Sequence, residues 1–293
     1  MRRVTTLITD LDNTLFDWVN IWFQSFNAML CEVVEVSGIP RDILLPEISE
    51  VHQKHGTSEY SFLLEEVPSL VEFAGDRPSS EVFASAIDAF RIQRRRHMCL
   101  YPTVAETLLK LKGAGVRIVA YTESMAFYSG YRIRKLGLDG VLDHIYCPGD
   151  HVLPTGIDRE DIRKYPPEHY EFKYSKQRFI EPGHTKPSPE VLGDIFDELD
   201  LNANETIYVG DSLMKDIAMA NDFGIDGIWA KYGRAQHREE YELLRAVTHW
   251  TKEVVEREKK INERDHVKPT LTLESTFSEI LKNYSFEPFG TKK

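Results

Sequence analysis

The amino-acid sequence predicts an α/β protein, with an open parallel sheet and a separate helical domain inserted near the beginning of the chain. Three observations support this fold class. Apolar runs of strand length alternate with helical patterns after residue 101, polar side chains follow several of these runs, and residues 17–97 show helical patterns and no strand pattern. Strands that alternate with helices favour βαβ units and a parallel sheet.

Five apolar runs predict the strands of this sheet. The first run, residues 4–9, is followed directly by acidic residues. The other runs are residues 116–121, 141–147, 206–209 and 227–230. Each has the length and the continuous apolar character of a strand that is buried on both faces.

Helical patterns lie between these runs. They cover residues 104–112, 126–136, 189–199 and 213–223. Right-handed crossovers place the carboxyl ends of all parallel strands at one edge of the sheet, where such sheets bind their ligands. We therefore expect functional residues directly after the strands.

The block between the first strand and residue 98 breaks the alternation. Its helical patterns, separated by turn signals, cover residues 18–36, 41–55, 60–65 and 80–95. A block of this size forms a domain of its own. The sequence thus predicts a core domain of residues 1–16 and 98–293, and a helical domain of residues 17–97.

Two stretches of the core domain depart from plain alternation. Residues 148–183 are rich in Pro, Tyr and charge, and are long for a strand-to-helix connection. Residues 234–260 form one long charged helical pattern. We interpret the two stretches as insertions at about 148–183 and 234–266. After them, residues 270–272 predict an edge strand and residues 275–284 predict a closing helix.

Composition and charge restrict the class of function. The 293-residue chain is 42% hydrophobic and 28% charged, which is ordinary for a globular protein. Its formal net charge of -11 argues against a nucleic-acid-binding surface, and no apolar run reaches the length of a membrane span. Its three cysteines are scattered, which is typical of a reducing compartment. We predict a cytoplasmic protein without nucleic-acid or membrane partners; nothing in the sequence predicts its oligomeric state.

The most informative residues directly follow the first strand. They are Asp10, Asp12 and Thr14. Residues two apart on a strand face the same way, about 6.6 Å from each other. One pocket can therefore hold a carboxylate that attacks a substrate, a second carboxylate that transfers a proton, and a hydroxyl that binds an anion.

Three further sites follow later in the chain. Thr122 comes after the second predicted strand, and Lys186 precedes a predicted helix. Gly210 and Asp211 come after the fourth strand, with Asp216 in the helix that follows. Each site alone is a weak signal, because turns, helix caps and exposed lysines produce the same residues. Their order, and their place at one sheet edge, argue together against a chance origin.

In identity, order and strand context, these four motifs resemble those of the haloacid dehalogenase-like hydrolase superfamily. The similarity covers residues 4–14 and roughly residues 101–284, apart from the two insertions. The helical domain resembles the C1-type helical cap, which that superfamily inserts after its first motif. The resemblance implies a Rossmann-like core and membership of the phosphatase branch.

The chemistry of phosphate monoesters explains these residue types. Such an ester is a poor electrophile because its own charge repels nucleophiles, and attack by a carboxylate divides one difficult step into two. Asp10 would be this nucleophile. Asp12 would protonate the leaving oxygen and later activate water. Lys186 would neutralise the phosphoryl group and hold Asp10 as the anion, and Thr122 would hydrogen-bond that group.

Clustered carboxylates beside an anionic substrate need a hard cation, and Mg²⁺ suits such a site best. We predict side-chain ligation by Asp10 and Asp211, and the resemblance adds the backbone carbonyl of Asp12. Asp216 would orient Lys186 or a water molecule. Thr14 and Gly210 would support the site, the glycine by allowing a close approach of the backbone.

Two residues bear on reaction and substrate. Dehalogenases of the superfamily carry no acidic residue at the position of Asp12, so Asp12 favours phosphoryl transfer. Glu123 stands where many relatives carry Asn, and a carboxylate there would repel phosphate unless it points away or contacts the cap. We retain Glu123, with Thr122 and Lys186, as a candidate substrate-binding residue.

The lead hypothesis is a Mg²⁺-dependent phosphatase that hydrolyses a small phosphorylated metabolite of the nucleotide, phosphoglycolate or sugar-phosphate type, which the cap would select. A phosphomutase of the same superfamily, which passes the phosphoryl group to a sugar, is one alternative. The other is an interaction or regulatory protein built on this scaffold, because the two insertions offer additional surface.

Overall fold

The computed structural model describes residues 1–150, 152–154, 157–158, 163, 165–250 and 267–290. The chain divides into two compact units. The core unit contains Met1–Asp17, Cys99–Arg234 and the described residues 267–290. The helical unit contains Trp18–Met98 and the described residues 235–250.

The helical unit begins with a long helix, α1 (Trp18–Ser37). Val19, Trp22, Phe26 and Leu30 recur three or four residues apart on its buried face, which is the spacing of a helix that packs along one side. The helices that follow are α2 (Arg41–His55), α3 (Leu63–Glu66), α4 (Pro68–Ala74), α5 (Ser79–Val82) and α6 (Ala84–His97). The last of these packs along α1.

The core unit is built on a parallel sheet. Its described strands are β1 (Arg2–Val4), β2 (Thr6–Thr9), β3 (Arg117–Tyr121), β4 (His144–Pro148), β5 (Lys176–Ile180), β6 (Thr206–Gly210), β7 (Asp226–Ala230), β8 (Leu271–Leu273) and β9 (Tyr284–Phe286). Seven of these described strands form one sheet in the order β5-β4-β3-β2-β6-β7-β8, and every pairing in it is parallel. The flanking helices are α7 (Val104–Gly113), α8 (Ala126–Lys135), α9 (Pro189–Leu199) and α10 (Ala218–Phe223). The predicted α/β class is confirmed.

The register of the sheet brings the predicted site residues together. β2 lies between β3 and β6, and Thr9, its last residue, is opposite Ala120 on one side and Val209 on the other. The residues that follow these three strands are therefore neighbours at one edge of the sheet.

Several elements differ from the sequence prediction. The first predicted strand is divided into β1 and β2, because β1 leaves the large sheet and pairs with β9. β5 lies inside the stretch interpreted as an insertion, where its half-exposed, charged sequence carries no strand pattern. A 3₁₀ turn, Phe277–Lys282, replaces the predicted closing helix, and a π-helical turn, Leu213–Ile217, precedes α10.

The segment after Arg234 also differs. A single long helix was expected at 234–260; among the described residues the helix there is α11 (Glu240–Ala246), and residues 251–266 lie outside the described chain. The segment joins the helical unit, because Tyr241, Leu244 and Val247 are buried in the apolar cluster of that unit. Across the described residues, no helix combines the length and the apolar character needed to cross a bilayer.

Candidate active site

Asp10 stands at the carboxyl end of β2, the central strand of the site. All four side chains of β2 are buried. The Asp10 N–H extends the sheet by donating to the Val209 carbonyl at 2.8 Å, after which the chain turns and the Leu15 N–H donates to the Leu11 carbonyl at 2.8 Å. The sharp turn ends the strand and leaves the Asp10 carboxylate at the sheet edge, with little exposure to solvent.

Lys186 lies directly against Asp10. Its Nζ donates to Asp10 Oδ1 at 2.6 Å and to Asp216 Oδ1 at 2.9 Å, and Thr14 Oγ1 donates to Asp10 Oδ2 at 3.3 Å. Burial raises the pKa of Asp10 well above its usual range, against the opposing attraction of Lys186. Burial disfavours the Lys186 cation, but the two carboxylates outweigh this effect and hold its pKa well above the usual value.

Asp216 holds Lys186 in place. Its Oδ1 also accepts from the Tyr208 hydroxyl at 3.1 Å, and its Oδ2 accepts from the Ser212 N–H at 3.0 Å. A Cβ at Gly210 would lie 2.3 Å from the Asp216 Cγ, so a side chain there would displace Asp216. Gly210 was expected to bring the backbone close to a metal site, which stays a prediction; in the structure its close neighbour is the Asp216 side chain.

Three carboxylates form a group that could hold a metal ion. One oxygen each of Asp10, Asp211 and Asp216 lies within 4.8 Å of the others. Burial, with repulsion from Asp216 and Asp10, raises the pKa of Asp211 well above its usual range. Lys186 brings one positive charge to three carboxylates, and carboxylate oxygens are the ligands that Mg²⁺ prefers. The residues present therefore fit a hard divalent cation. Asp10 and Asp211 would be the better ligands, because Asp216 already accepts from three donors.

The Asp12 side chain points to a different set of partners. Its Oδ2 accepts from Ser124 Oγ at 2.6 Å and from Thr122 Oγ1 at 3.4 Å, and its Oδ1 accepts from Arg132 Nη1 at 3.2 Å. Ligation by the Asp12 carbonyl remains a prediction. The structure thus separates a carboxylate group around Lys186 from a second carboxylate, Asp12, that is held by hydroxyls and a guanidinium.

Glu123 binds to the loops that carry the lysines. Its Oε1 accepts from the backbone N–H of Lys186 at 3.0 Å, and its Oε2 accepts from Lys215 Nζ at 2.6 Å. Burial raises the pKa of Glu123, but attraction to Lys215 and Lys186 outweighs burial and lowers it overall. The contribution of Glu123 to substrate binding stays a prediction, and its contacts here join β3 to the turn after β6.

The end of β7 and the short 3₁₀ turn that follows it, Lys231–Gly233, contact the loops that carry Asp12 and Asp211. The Trp229 Nε1–H donates to the Asp211 carbonyl at 2.8 Å, and the Tyr232 hydroxyl donates to the Thr14 carbonyl at 2.7 Å. A Cβ at Gly233 would lie 1.7 Å from the Asn13 carbonyl oxygen, so this position requires glycine. Trp229 and the turn together hold the backbone near Asp12 and Asp211.

Sequence reasoning did not identify several of these supporting residues: Ser124, Arg132, Tyr208, Lys215, Trp229 and Tyr232. One signal was available for Arg132. It lies four residues after Tyr128 and next to Ile133, on the face of α8 that is buried, and a charged residue on such a face needs a partner. The other residues carry no local signal, because each is identified only by its contact with another loop or turn.

Comparisons with known proteins show which families and folds this chain is similar to. Two curated relatives are both named glyceraldehyde 3-phosphate phosphatase. The protein from Methanopyrus kandleri is 22% identical over 243 residues, which cover 80% of this chain and 88% of the relative. The protein from Pyrococcus furiosus is 22% identical over 239 residues, which cover 80% of this chain and 83% of the relative.

The fold is similar to solved structures as well. The 2-haloacid dehalogenase of Pseudomonas syringae pv. Tomato superimposes with a TM-score of 0.54 at 17% identity, over 95% of this chain and 98% of that one. Residues 4–224 match the family described as haloacid dehalogenase-like hydrolase. The match includes all the acidic residues of the site, Thr122 and Lys186, and the chain belongs to the haloacid dehalogenase-like hydrolase family.

Proposed function

We propose that this protein is a Mg²⁺-dependent phosphatase that hydrolyses a small phosphate monoester through an aspartyl-phosphate on Asp10. The observation that carries the proposal is the pair of carboxylates after β2. Asp10 is bound to Lys186, and Asp12 is bound to hydroxyls and to Arg132. Two carboxylates in different surroundings can perform different tasks, one as nucleophile and one as acid and base.

In the first step, an Asp10 oxygen attacks the phosphorus as the bond to the leaving oxygen breaks. Protonated Asp12 gives its proton to that oxygen, so the alcohol leaves neutral and Asp12 becomes a carboxylate. Lys186, 2.6 Å from Asp10, provides positive charge beside the transferring group. Thr122, at the end of the neighbouring strand, provides a hydroxyl donor.

In the second step, water attacks the phosphorus of the aspartyl-phosphate. Asp12 accepts a proton from this water, which restores its acid form, and Asp10 leaves as a carboxylate with release of phosphate. Asp216 takes no part in bond changes. It keeps Lys186 beside Asp10 through the second carboxylate contact, at 2.9 Å.

Asp10 and Asp211 would hold the magnesium ion, and the Asp12 carbonyl would be a further ligand. When bound, this cation would neutralise charge shared between the acidic group and the phosphoryl oxygens. Its presence would also offset the mutual repulsion of the buried carboxylates, which the single charge of Lys186 balances only in part.

A small phosphorylated metabolite is the substrate class that we propose. The two relatives from Methanopyrus kandleri and Pyrococcus furiosus are named for hydrolysis of glyceraldehyde 3-phosphate, which makes phosphorylated aldehydes, sugars and acids the first compounds to test. We further propose that the helical unit acts as the substrate-selecting cap. The three cysteines, Cys31, Cys99 and Cys147, are free thiols, which supports a location in the reducing cytoplasm.

Phosphate release from p-nitrophenyl phosphate tests the chemistry. Turnover should require Mg²⁺, stop with EDTA and be abolished in Asp10→Asn. Mass spectrometry of acid-quenched protein should find the phosphoryl group on the Asp10 peptide. Asp194→Asn, which changes an exposed carboxylate on α9, is the matched control and should retain full activity. Equal turnover in Asp10→Asn and the wild type would rule out the mechanism.

A further inference from the structure

We infer that Arg132 is a positioning residue for Asp12, and that together with Ser124 it fixes the carboxylate which handles the leaving-group proton. The inference rests on the proposed phosphatase activity. It adds to the four motifs a residue from α8 that stands ten positions beyond Thr122 in the chain.

The contacts form a closed triangle. Arg132 Nη1 donates to Asp12 Oδ1 at 3.2 Å and to Ser124 Oγ at 3.0 Å, and Ser124 Oγ donates to Asp12 Oδ2 at 2.6 Å. The hydroxyl of Ser124 thus accepts one hydrogen bond and donates another. Both carboxylate oxygens of Asp12 are held, so the rotation of the side chain is restricted.

The surroundings of Arg132 show that the triangle is built into the core unit. Arg132 is 3% exposed, and its guanidinium lies 6.0 Å from the ring centre of Phe16 and 5.8 Å from that of Tyr128. A buried guanidinium is costly unless charged and polar partners compensate it. In this structure Asp12 supplies the negative charge, so burial of Arg132 and orientation of Asp12 depend on each other.

The position of Asp12 matters most when the leaving group needs a proton. An alkoxide is a poor leaving group, and its departure depends on a correctly placed general acid; nitrophenolate leaves without a proton. A misplaced Asp12 should therefore slow phosphoryl transfer from alkyl phosphates and have little effect on transfer from p-nitrophenyl phosphate. General loss of structure would slow both reactions to the same extent.

The experiment compares kcat/KM for p-nitrophenyl phosphate, phenyl phosphate and glycerol 3-phosphate, because this ratio reports the steps up to formation of the phosphoenzyme. In Arg132→Met we expect a loss of about 100-fold for glycerol 3-phosphate and less than about 3-fold for p-nitrophenyl phosphate, with phenyl phosphate between them. Asp12→Asn should show the same order with larger losses. Ser124→Ala removes one side of the triangle with minimal change in volume and should show the same order with smaller losses.

Arg134→Met is the matched control, since Arg134 lies on the same helix and donates to the Tyr170 carbonyl at 2.6 Å. It should leave all three kcat/KM values unchanged. Equal losses on the three esters in both Arg132→Met and Ser124→Ala would overturn the inference, while wild-type turnover abolished by Asp10→Asn would leave the proposed function intact. Absence of wild-type turnover on every ester would instead overturn the proposed function, and the inference with it.

Discussion

Lys186 is the residue on which the arrangement of the acidic group depends. Its ammonium group lies between Asp10 and Asp216, and it is 5% exposed. The two carboxylates are buried as well, so each depends on this cation for compensation of its charge. A single side chain therefore affects both the charge of Asp10, the proposed nucleophile, and the stability of its surroundings.

Replacing Lys186 with Met should abolish phosphate release, with a loss of at least about 1,000-fold in kcat, because the transferring group loses its neutralising charge. The variant should also unfold more easily, since two carboxylates remain buried without their cation. Steady-state kinetics and thermal unfolding measure the two effects. Lys186→Arg is the informative comparison, because it keeps the positive charge but changes the geometry. We expect it to regain more of the stability lost in Lys186→Met than of the lost activity.

Gly210 is the second residue on which the geometry depends. In Gly210→Ala the new methyl group would meet Asp216, whose Cγ would lie 2.3 Å away, so Asp216 must move and Lys186 loses one partner. We expect a fall in kcat of about 100-fold or more, with folding largely retained. Gly193→Ala is the matched control, because the nearest atom, in Phe223, is 3.9 Å away. Full activity in Gly210→Ala would contradict this account of the glycine.

At the scale of elements, the site is held together by contacts between loops that follow different strands. Glu123, after β3, bonds both the backbone of Lys186 and the side chain of Lys215 in the π-helical turn after β6. Trp229 in β7 and Tyr232 in the turn after β7 add hydrogen bonds to the loops of Asp211 and Thr14. These contacts fix the spacing between the ends of the strands.

A double-mutant cycle tests the link between Glu123 and Lys215. Both side chains are about one-third exposed, so solvent screening limits their coupling in stability to about 0.5–1 kcal/mol. Glu123→Gln, Lys215→Met and the double variant should show this coupling in chemical denaturation, with KM changed less than about twofold in Glu123→Gln. A large change in KM without measurable coupling would instead assign Glu123 to substrate binding.

At the scale of the molecule, the two units differ in how their stability responds to conditions. The core unit carries the acidic group, which Lys186 compensates only in part. The helical unit carries a buried histidine, His52 on α2, whose Nδ1–H donates to the Val247 carbonyl at 2.6 Å. The stability of the core unit should therefore respond to Mg²⁺, and the stability of the helical unit should respond to pH through His52.

Magnesium should stabilise the protein, because a ligand that binds the folded state raises the free energy of unfolding. At about one hundred times its dissociation constant, the gain is about 2.7 kcal/mol. The midpoint of thermal unfolding should therefore rise with Mg²⁺ and fall with EDTA. Asp211→Asn should lose this response, and Asp222→Asn, an exposed control, should keep it. An unchanged response in Asp211→Asn would exclude Asp211 as a ligand.

Acid should destabilise the helical unit through His52. Burial lowers the pKa of His52 to about 4, and the neighbouring His249 and His55 add to this effect. The unfolded chain binds a proton near pH 6.5, so His52 contributes full stability above that pH and loses it as the pH falls toward 4. Between pH 7 and pH 5 this amounts to about 2 kcal/mol. His52→Gln keeps a hydrogen-bond donor for the Val247 carbonyl. In denaturant titrations its free energy of unfolding should fall less between pH 7 and pH 5 than that of the wild type. Equal falls in the two proteins would contradict the assignment to His52.

Local sequence patterns predict much of the fold and much of the candidate site. Apolar runs of strand length, each followed by a helical pattern, predicted the parallel sheet. Asp10, Thr122 and Asp211 follow three of those runs, so they were expected at one edge of the sheet. The prediction of the sheet is confirmed, because burial on both faces of a sheet leaves a continuous apolar run, which a short window of sequence reveals.

The tertiary structure alone decided the remaining features. The pairing of β1 with β9 joins the two ends of the chain, and the segment at 235–250 belongs to the helical unit through its apolar contacts. The hydrogen-bond partners of Asp12 and Asp216 could not be predicted from the sequence either. Arg132 lies 120 residues from Asp12, and no period or spacing encodes which distant side chain will fill the space beside a carboxylate. The sequence by itself identified the candidate residues for chemistry, because their types and their places after strands are local features; packing decided which residues hold them in position.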